Sequence, residues 1–559
     1  MKVHLLTGAA IVVLAVLSAG FPLSAQPVIT GVQNNYSYIL PNLPNYGIAP
    51  GSLFIIVGTG LASPGSQAFP LQDPSKTLPL TLNGASVSVT VDGVPGPNGS
   101  NSVTTQPALY YATPTAIAAV LPSTTPVGTS VAVTVTYGLV TSLPYSTNVP
   151  KSAFGFDTYY GSGSGMAAVT DNISGYLIDP SCDADIDATK KCIRSAQPGE
   201  TIVFWGSGAG ADTNNDDRNP PVSIDNLNYI TQLFIGGVPV PIVYQGRSHY
   251  QGVDQIDVTL PQNVPTGCAV SVVAVSGAGS GALLSNTVTI PIAANGGACS
   301  DPLQPIGSAE AATLAGHALV KFGSLSLAQT TNTAGISKTA SAQFASILGT
   351  WLFAYLDNAL PSLGSCVVYQ QPTEPPPANN PFNLQGLSPG TVDVTGPNGT
   401  QALNAAPPSP GLYTDALTLG FIPPTGGSFT FAGQGGPDVE AFNAALNFPN
   451  PLFWTNASAA SAITRSQGVT VNWTGGDPDT YVQITGSVTT VGVTVSFTCD
   501  APVSPATFTV PAAVLLALPA ASGGIAVDNF TLPTSFSATG LDFGFAASHV
   551  SVFEPATYQ

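Results

Sequence analysis

Two stretches of this chain, 148 residues apart, are written to the same plan. Residues 49–61 read APGSLFIIVGTGL and residues 197–209 read QPGETIVFWGSGA. In each, a Pro-Gly turn launches a nearly continuous apolar run, and Gly-x-Gly closes it. Pro50, Gly51, Gly58 and Gly60 answer Pro198, Gly199, Gly206 and Gly208. A repeat this long is a duplicated domain rather than a turn of a solenoid. The glycines of each closing motif are read as positions of positive φ or of a bulge.

The duplication reaches further. VDGVP at 91–95 answers IGGVP at 235–239, each a strand running into a turn, and Leu121-Pro122 answers Leu260-Pro261. Along the whole chain, between Gly and Pro punctuation, lie short runs rich in Val, Thr, Ile and Phe, at 85–91, 130–137, 270–275, 287–292, 470–473, 481–485 and 493–498. Several alternate polar with apolar, which is the period of a half-buried strand. With 59 Gly and 51 Pro as punctuation, the spacing is that of antiparallel sandwiches. Helix is expected only at 308–321 and 343–357. The fold class read from this pattern is all-β: tandem Ig/TIG-like antiparallel β-sandwiches followed by a larger β-rich domain. The expected units are a signal peptide at 1–25, sandwiches at 26–150 and 151–299, and the β-rich domain at 300–559, with a Pro-rich linker or surface loop at 372–381.

The first 25 residues carry one charge, Lys2, then an apolar stretch over 5–17 and a small-residue cleavage site at Leu23-Ser24-Ala25. That is a secretion leader, too short for a membrane span. A secreted or cell-surface protein with no span in the mature chain is the expectation. Six cysteines in an exported chain imply disulfides. Sequential pairing, Cys182–Cys192, Cys268–Cys299 and Cys366–Cys499, keeps each bridge inside one expected domain. The net charge of −18 and the lack of Lys/Arg clusters speak against nucleic acid.

The landmarks carry a resemblance. PVITGVQNNYS at 27–37, APGS…GTGLA, the GVP turn, Leu109-Tyr110 and GVDQIDVTLPQNVPTG at 252–267 resemble the uncharacterised Solibacter-type C-terminal domain of exported acidobacterial proteins. The likeness covers about residues 27–293. The first copy departs from it at Thr115-Ala116-Ile117, where Gln-Ile-Asn is usual. GGPDVEAF, FWTN and VTVNWTGGDPDTYVQITG, within 435–486, resemble C-terminal segments of similar exported proteins. The family has no established activity, so the resemblance implies an Ig/TIG-like fold and export only.

Chemistry is sparse. Beyond the leader the histidines are His249, His317 and His549, and no G-x-S-x-G elbow occurs. The glutamates are Glu200, Glu310, Glu374, Glu440 and Glu554, a thin supply for a glycosidase pair. No catalytic residue and no cofactor is assigned, apart from calcium. For calcium, Asp183, Asp185 and Asp187 alternate, and Asp212, Asn214 and Asp216 form D-x-N-x-D, spacings that can aim hard oxygens at one centre. The competing reading is that Asp and Asn favour turns. Trp205, Trp351, Trp454, Trp473, Tyr110-Tyr111 and Tyr159-Tyr160 are candidate carbohydrate contacts, with core packing the plainer role for Trp205 and Trp473. The expected function is a non-enzymatic binding, adhesion or envelope protein with an extracellular glycan or protein partner. The alternatives are a glycan-binding accessory module and a hydrolase in the last domain.

Overall fold

The computed structural model describes residues 26–64, 73–182, 191–212, 214, 217–222, 225–277, 281–373, 384–406, 411–424 and 426–559. Residues 1–25, where a leader is expected, and most of the Pro-rich segment lie outside that set. The first copy is two sheets closed on one apolar core. One sheet runs Val28–Asn34, Leu53–Thr59, Ala116–Val120, Ala108–Ala112; the other is built on Tyr145–Val149, Gly128–Tyr137 and Ala85–Asp92. Val87, Val89, Val91, Val131, Val133 and Val135, from alternate positions of two paired strands, meet Phe54 and Ile56 of the facing sheet. The second copy repeats this order. Val169–Asp171, Thr201–Ser207, Asp254–Thr259 and Ile242–Arg247 form one sheet, and Val288–Ile292, Gly267–Ser276 and Ile230–Ile235 the core of the other.

The paired glycines divide the labour in the same way in both copies. A Cβ on Gly58 would sit 2.0 Å from the Val28 carbonyl oxygen, and one on Gly206 would sit 2.5 Å from that of Gly155. The neighbouring strand can therefore approach only a bare backbone. Gly60 and Gly208 take φ of +65° and +102°, which glycine adopts at little cost.

Residues 320–558 form an eleven-stranded sheet. Its centre is not antiparallel throughout: Val320–Asn332 runs parallel to Phe543–Tyr558, from Phe322 beside Phe543 to Thr331 beside Val552. A four-stranded sheet, including Gly427–Gly433 and Phe442–Phe448, covers part of it through Phe344, Phe429, Phe431 and Phe442. The two expected helices are shorter and displaced. Helix α1 is Ser308–Ala315, and Val320 already belongs to the sheet. Residues 343–347 continue a strand, Gly335–Ile347, and helix α2 is Leu352–Ala359. Small apolar residues suit either period. Pairing with Val320–Asn332 along thirteen residues decides for strand.

Exposed faces are clothed by cross-strand threonine pairs instead of ion pairs. Thr90–Thr104, Thr136–Thr141, Thr201–Thr259, Thr470–Thr509 and Thr489–Thr494 bond hydroxyl to hydroxyl at 2.8–2.9 Å. This is how a chain with 7% charged residues keeps a polar surface.

All six cysteines are paired in sequential order. Cys366–Cys499 spans 133 residues and Cys182–Cys192 spans 10. Loop-closure entropy predicts a contribution of about 5 kcal/mol for the first and about 2.5 kcal/mol for the second. Replacing both cysteines of each bridge by alanine, with denaturant unfolding as the readout, is expected to reproduce that ranking; equal losses would contradict it.

The three units are joined by buried polar contacts. Asn34, at the end of the first strand, donates its amide to the carbonyls of Ala153 and Ser207 at 3.0 and 2.9 Å. The segment after it crosses to the last domain, where Ile39, Leu43 and Tyr46 enter the core formed by Trp473, Val488 and Phe497.

Candidate functional site

Where the two sandwiches meet, one cation is fully enclosed. Arg247 is 1% exposed and its guanidinium lies 2.6 Å from Asp254, which is 0% exposed, and 3.9 Å from Asp217. It also donates to the Gly210 carbonyl at 3.2 Å. Asp217 reaches into the first copy, accepting from the Ser123 amide and hydroxyl at 2.6 and 3.0 Å. Burial pushes Asp254 up to about 6 against the pull of Arg247. Gly51 of the repeated turn is bare because Arg247 occupies the space its Cβ would need. The group clamps one copy to the other and has no open face.

A second set of buried acids lies where the second sandwich meets the last domain. Asp357 of α2 accepts a hydrogen bond from Thr289 of Val288–Ile292. Asp301 accepts from Ser362, and Asp500 from Gln483 at 3.0 Å. Burial raises all three, Asp357 to about 7 and Asp500 well above the carboxylate range; Asp528, in the same sheet as Asp500, is also raised to about 7. One oxygen of Asp500 is buried without a partner. Asp528 alternates out of phase with Ile525 and Val527, so nothing in the local pattern pointed to its burial.

The three units together line a half-open cavity of about 550 Å³. The first copy supplies Gln33, Tyr38 and Asn45. The second supplies the glycine-serine turn Gly161–Ser164 with Asn286 and Thr287, and the last domain supplies Trp351, Tyr369 and Gln370. The amides fix the walls. Gln370 accepts from the Leu40 amide at 2.9 Å and donates to the Tyr38 carbonyl, Gln33 donates to Tyr38 as well, and Asn45 donates to the Leu284 carbonyl at 2.8 Å. No Asp, Glu, Lys, Arg or His lines the space. A charged ligand would lose its hydration here without meeting a counter-charge, whereas hydroxyls and ring faces find matching partners.

The residues singled out from sequence are dispersed. Asp183, Asp185, Asp187 and Asp216 lie outside the described residues. Asp212 is buried; its carboxylate accepts the Asn214 amide at 3.0 Å, and the Asn214 side chain donates to Asp225 at 2.8 Å, so both build a turn. Among the described residues no group of three or more His, Cys, Asp or Glu is arranged to hold a metal ion. His249 and His317 are exposed on separate units; His549 stacks on Phe530 at 4.3 Å, and burial lowers it to about 4. Glu200 accepts from the Gln197 amide at 2.8 Å, and burial, with Asp171 nearby, raises its carboxyl. Trp205, Trp454 and Trp473 bond Thr170, Asn456 and the Val503 carbonyl. Tyr110 bonds the Gln251 carbonyl at 2.8 Å, Tyr111 belongs to a cluster of the first copy, and Tyr160 stacks on Phe353 at 5.6 Å. Of the candidate aromatics, Trp351 faces the cavity.

No protein-family model matches the chain, and no curated protein matches it. Among solved structures, a tetra-tandem repeat from the extending region of a large adhesion protein is similar at 12% identity, covering 95% of this chain and 99% of that one, with a TM-score of 0.13. The BSP domain of a biofilm-associated protein is similar at 10% identity, 96% and 98% coverage and a TM-score of 0.12. An endo-fucoidan hydrolase of glycoside hydrolase family 107 is similar at 11% identity over 64% of this chain and 42% of that chain, with a TM-score of 0.10. Superpositions this loose carry no argument about function.

Proposed function

We propose that this is an exported, non-enzymatic binding protein that seats an uncharged glycan in the cavity shared by its three units. The observation that carries the reading is the lining itself: an indole, two phenols, amides and hydroxyls among aliphatic side chains such as Ile39, Leu43, Val57 and Val495, with no carboxylate or basic group. Aromatic faces suit the apolar faces of sugar rings and the amides suit their hydroxyls. Export is part of the proposal and is supported by three disulfides. Among the described residues no helix is long and apolar enough to cross a membrane. Kinship of residues 27–293 with the Solibacter-type domain belongs to the same proposal. A calcium role for the acidic loops at 183–187 and 212–216 is a separate one.

The test is binding of residues 26–559 to an array of glycans and surface polymers, with calcium and with chelator. Calcium-independent binding of neutral glycans is expected, weakened about tenfold or more by Trp351→Ala, which is a loss of about 1.4 kcal/mol. Binding that needs calcium would move the site to the acidic loops, and silence across the array would overturn the cavity reading.

A further inference from the structure

The cavity has a seam, where α2 meets the second sandwich. Trp351 sits immediately before α2, so the helix carries one wall. The facing wall is Gly161–Ser164 with Thr287, from the second sandwich. Several contacts hold these walls together: Tyr160 stacks on Phe353 at 5.6 Å, Asn358 donates to the Ser164 hydroxyl at 3.5 Å, and two more lie along α2. Gly165, which ends the glycine-serine turn, lies so close to α2 that a Cβ there would be 2.7 Å from the Ala354 amide nitrogen. One turn further on, Asp357 is tied to Thr289, two residues beyond Thr287. The end of α2 is tied in turn to the large sheet, where Gln483 donates to the Ala359 carbonyl at 2.9 Å and to Asp500.

Every ionisable group around Asp357 is acidic or phenolic. Asp301 acts on it directly from the segment joining second sandwich and last domain. Among the elements packed on α2, helix α1 offers Glu310, strand Cys366–Pro372 offers Tyr369 and strand Val493–Pro502 offers Asp500; Gly165–Met166 offers none. Strand Val288–Ile292 carries none, Thr480–Thr490 carries Tyr481, and α2 itself adds Tyr355. None of these elements carries Lys, Arg or His; strand Val320–Asn332, which meets α2 where Phe322 packs on Tyr355, carries Lys321, exposed on the opposite side of the strand from Phe322. An ionised Asp357 would therefore be a buried anion facing other acids, with one hydroxyl to hold it.

We propose that loss of the Asp357 proton parts α2 from the second sandwich and loosens the cavity, so that ligand is retained in mildly acidic surroundings and let go as the medium becomes neutral to alkaline. The raised carboxyl of Asp357, about 7, puts the transition near neutrality. The inference rests on the cavity reading for its ligand but not for its mechanics, and the measurement separates the two.

Hydrogen exchange of the α2 amides, corrected for the intrinsic pH dependence of exchange, is measured from pH 5.5 to pH 8 on the ligand-free protein. Protection of α2 is expected to fall about tenfold or more across that range in the wild type and to stay level in Asp357→Asn, which keeps the shape and the acceptor but cannot ionise. Asp528→Asn is the control: it removes a buried acid elsewhere in the sheet and should leave the fall in α2 intact. Level protection in the wild type overturns the proposal even if the variant fails to fold, and so does a fall that survives Asp357→Asn. A fall in protection with no saccharide bound on the array would sink the cavity reading and leave the seam standing.

Discussion

Thermal unfolding is expected to be most resistant near pH 4 to 5 and to become steadily easier up to pH 7. The cause is the number of acids this fold buries without a cation. Asp157, Asp357 and Asp528 are each raised by burial from the ordinary 3.8 to about 7, and even Asp254, which does have Arg247 beside it, to about 6. In the unfolded chain these groups ionise near pH 4. In the folded chain they hold their protons to near neutrality. Between those limits the native state binds more protons than the unfolded state, so stability falls as pH rises and levels off above the folded values. Each group raised by three units contributes on the order of 4 kcal/mol over the window, because one unit is about 1.4 kcal/mol. Two such groups in the C-terminal unit alone imply a drop in its Tm on the order of 10 °C or more between pH 4.5 and pH 7.5. Calorimetry across that range reads it directly. A profile that is flat, or that rises toward neutrality as it does for proteins stabilised by ionised carboxylates, would contradict the burial described above. Asp528→Asn should flatten part of the slope while leaving the ordinary folded baseline.

Arg247→Ala is expected to lose roughly 3–5 kcal/mol of stability and to free the first two units from each other. The substitution leaves Asp254 fully enclosed and Asp217 nearly so, each stripped of the cation it pairs with among the described residues. Asp217 would still hold Ser123, but the anchor of that contact in the second copy would be gone. The comparison that isolates the cause is Arg247→Met with Asp254→Asn, which removes charge and counter-charge together at similar volume. If the burden is the stranded anion, the double variant recovers much of the loss. A single variant that unfolds like the wild type, or a double variant worse than both singles, would sink this account. Because the stranded acids can take up protons, the deficit of Arg247→Ala should also shrink below about pH 5.

The duplicated sandwiches were legible because their signal is local. A Pro-Gly turn, an apolar run and two glycines with separate backbone duties are written side by side, and the strands between them alternate in phase with their burial. The parallel pairing of Val320–Asn332 with Phe543–Tyr558 was not legible, since the partners stand more than two hundred residues apart. The displaced helices share that cause. Gln343 to Ile347 became strand because of a partner the local sequence does not show. The cavity was out of reach for the same reason: Gln33, Ser162 and Trp351 come from three units, and none is conspicuous alone. The buried acids misled in a different way. Aspartate ordinarily marks turns, and Asp212 does build one, but Asp500 and Asp528 sit within strands on the phase opposite their apolar neighbours, a face buried by elements the local sequence does not show.

The segment that carries Ile39, Leu43 and Tyr46 into the last domain makes the chain less modular than its tandem look suggests. A bead-on-string protein can be cut between beads. Here the final bead borrows part of its interior from the first, so a fragment beginning near residue 300 would present the gap as a greasy groove. Synthesis runs in the unhelpful direction as well: the borrowed residues emerge early and must wait, undocked, until some four hundred further residues have followed. Duplication supplied the first two copies, yet the third unit cannot be shuffled away from them as an independent cassette.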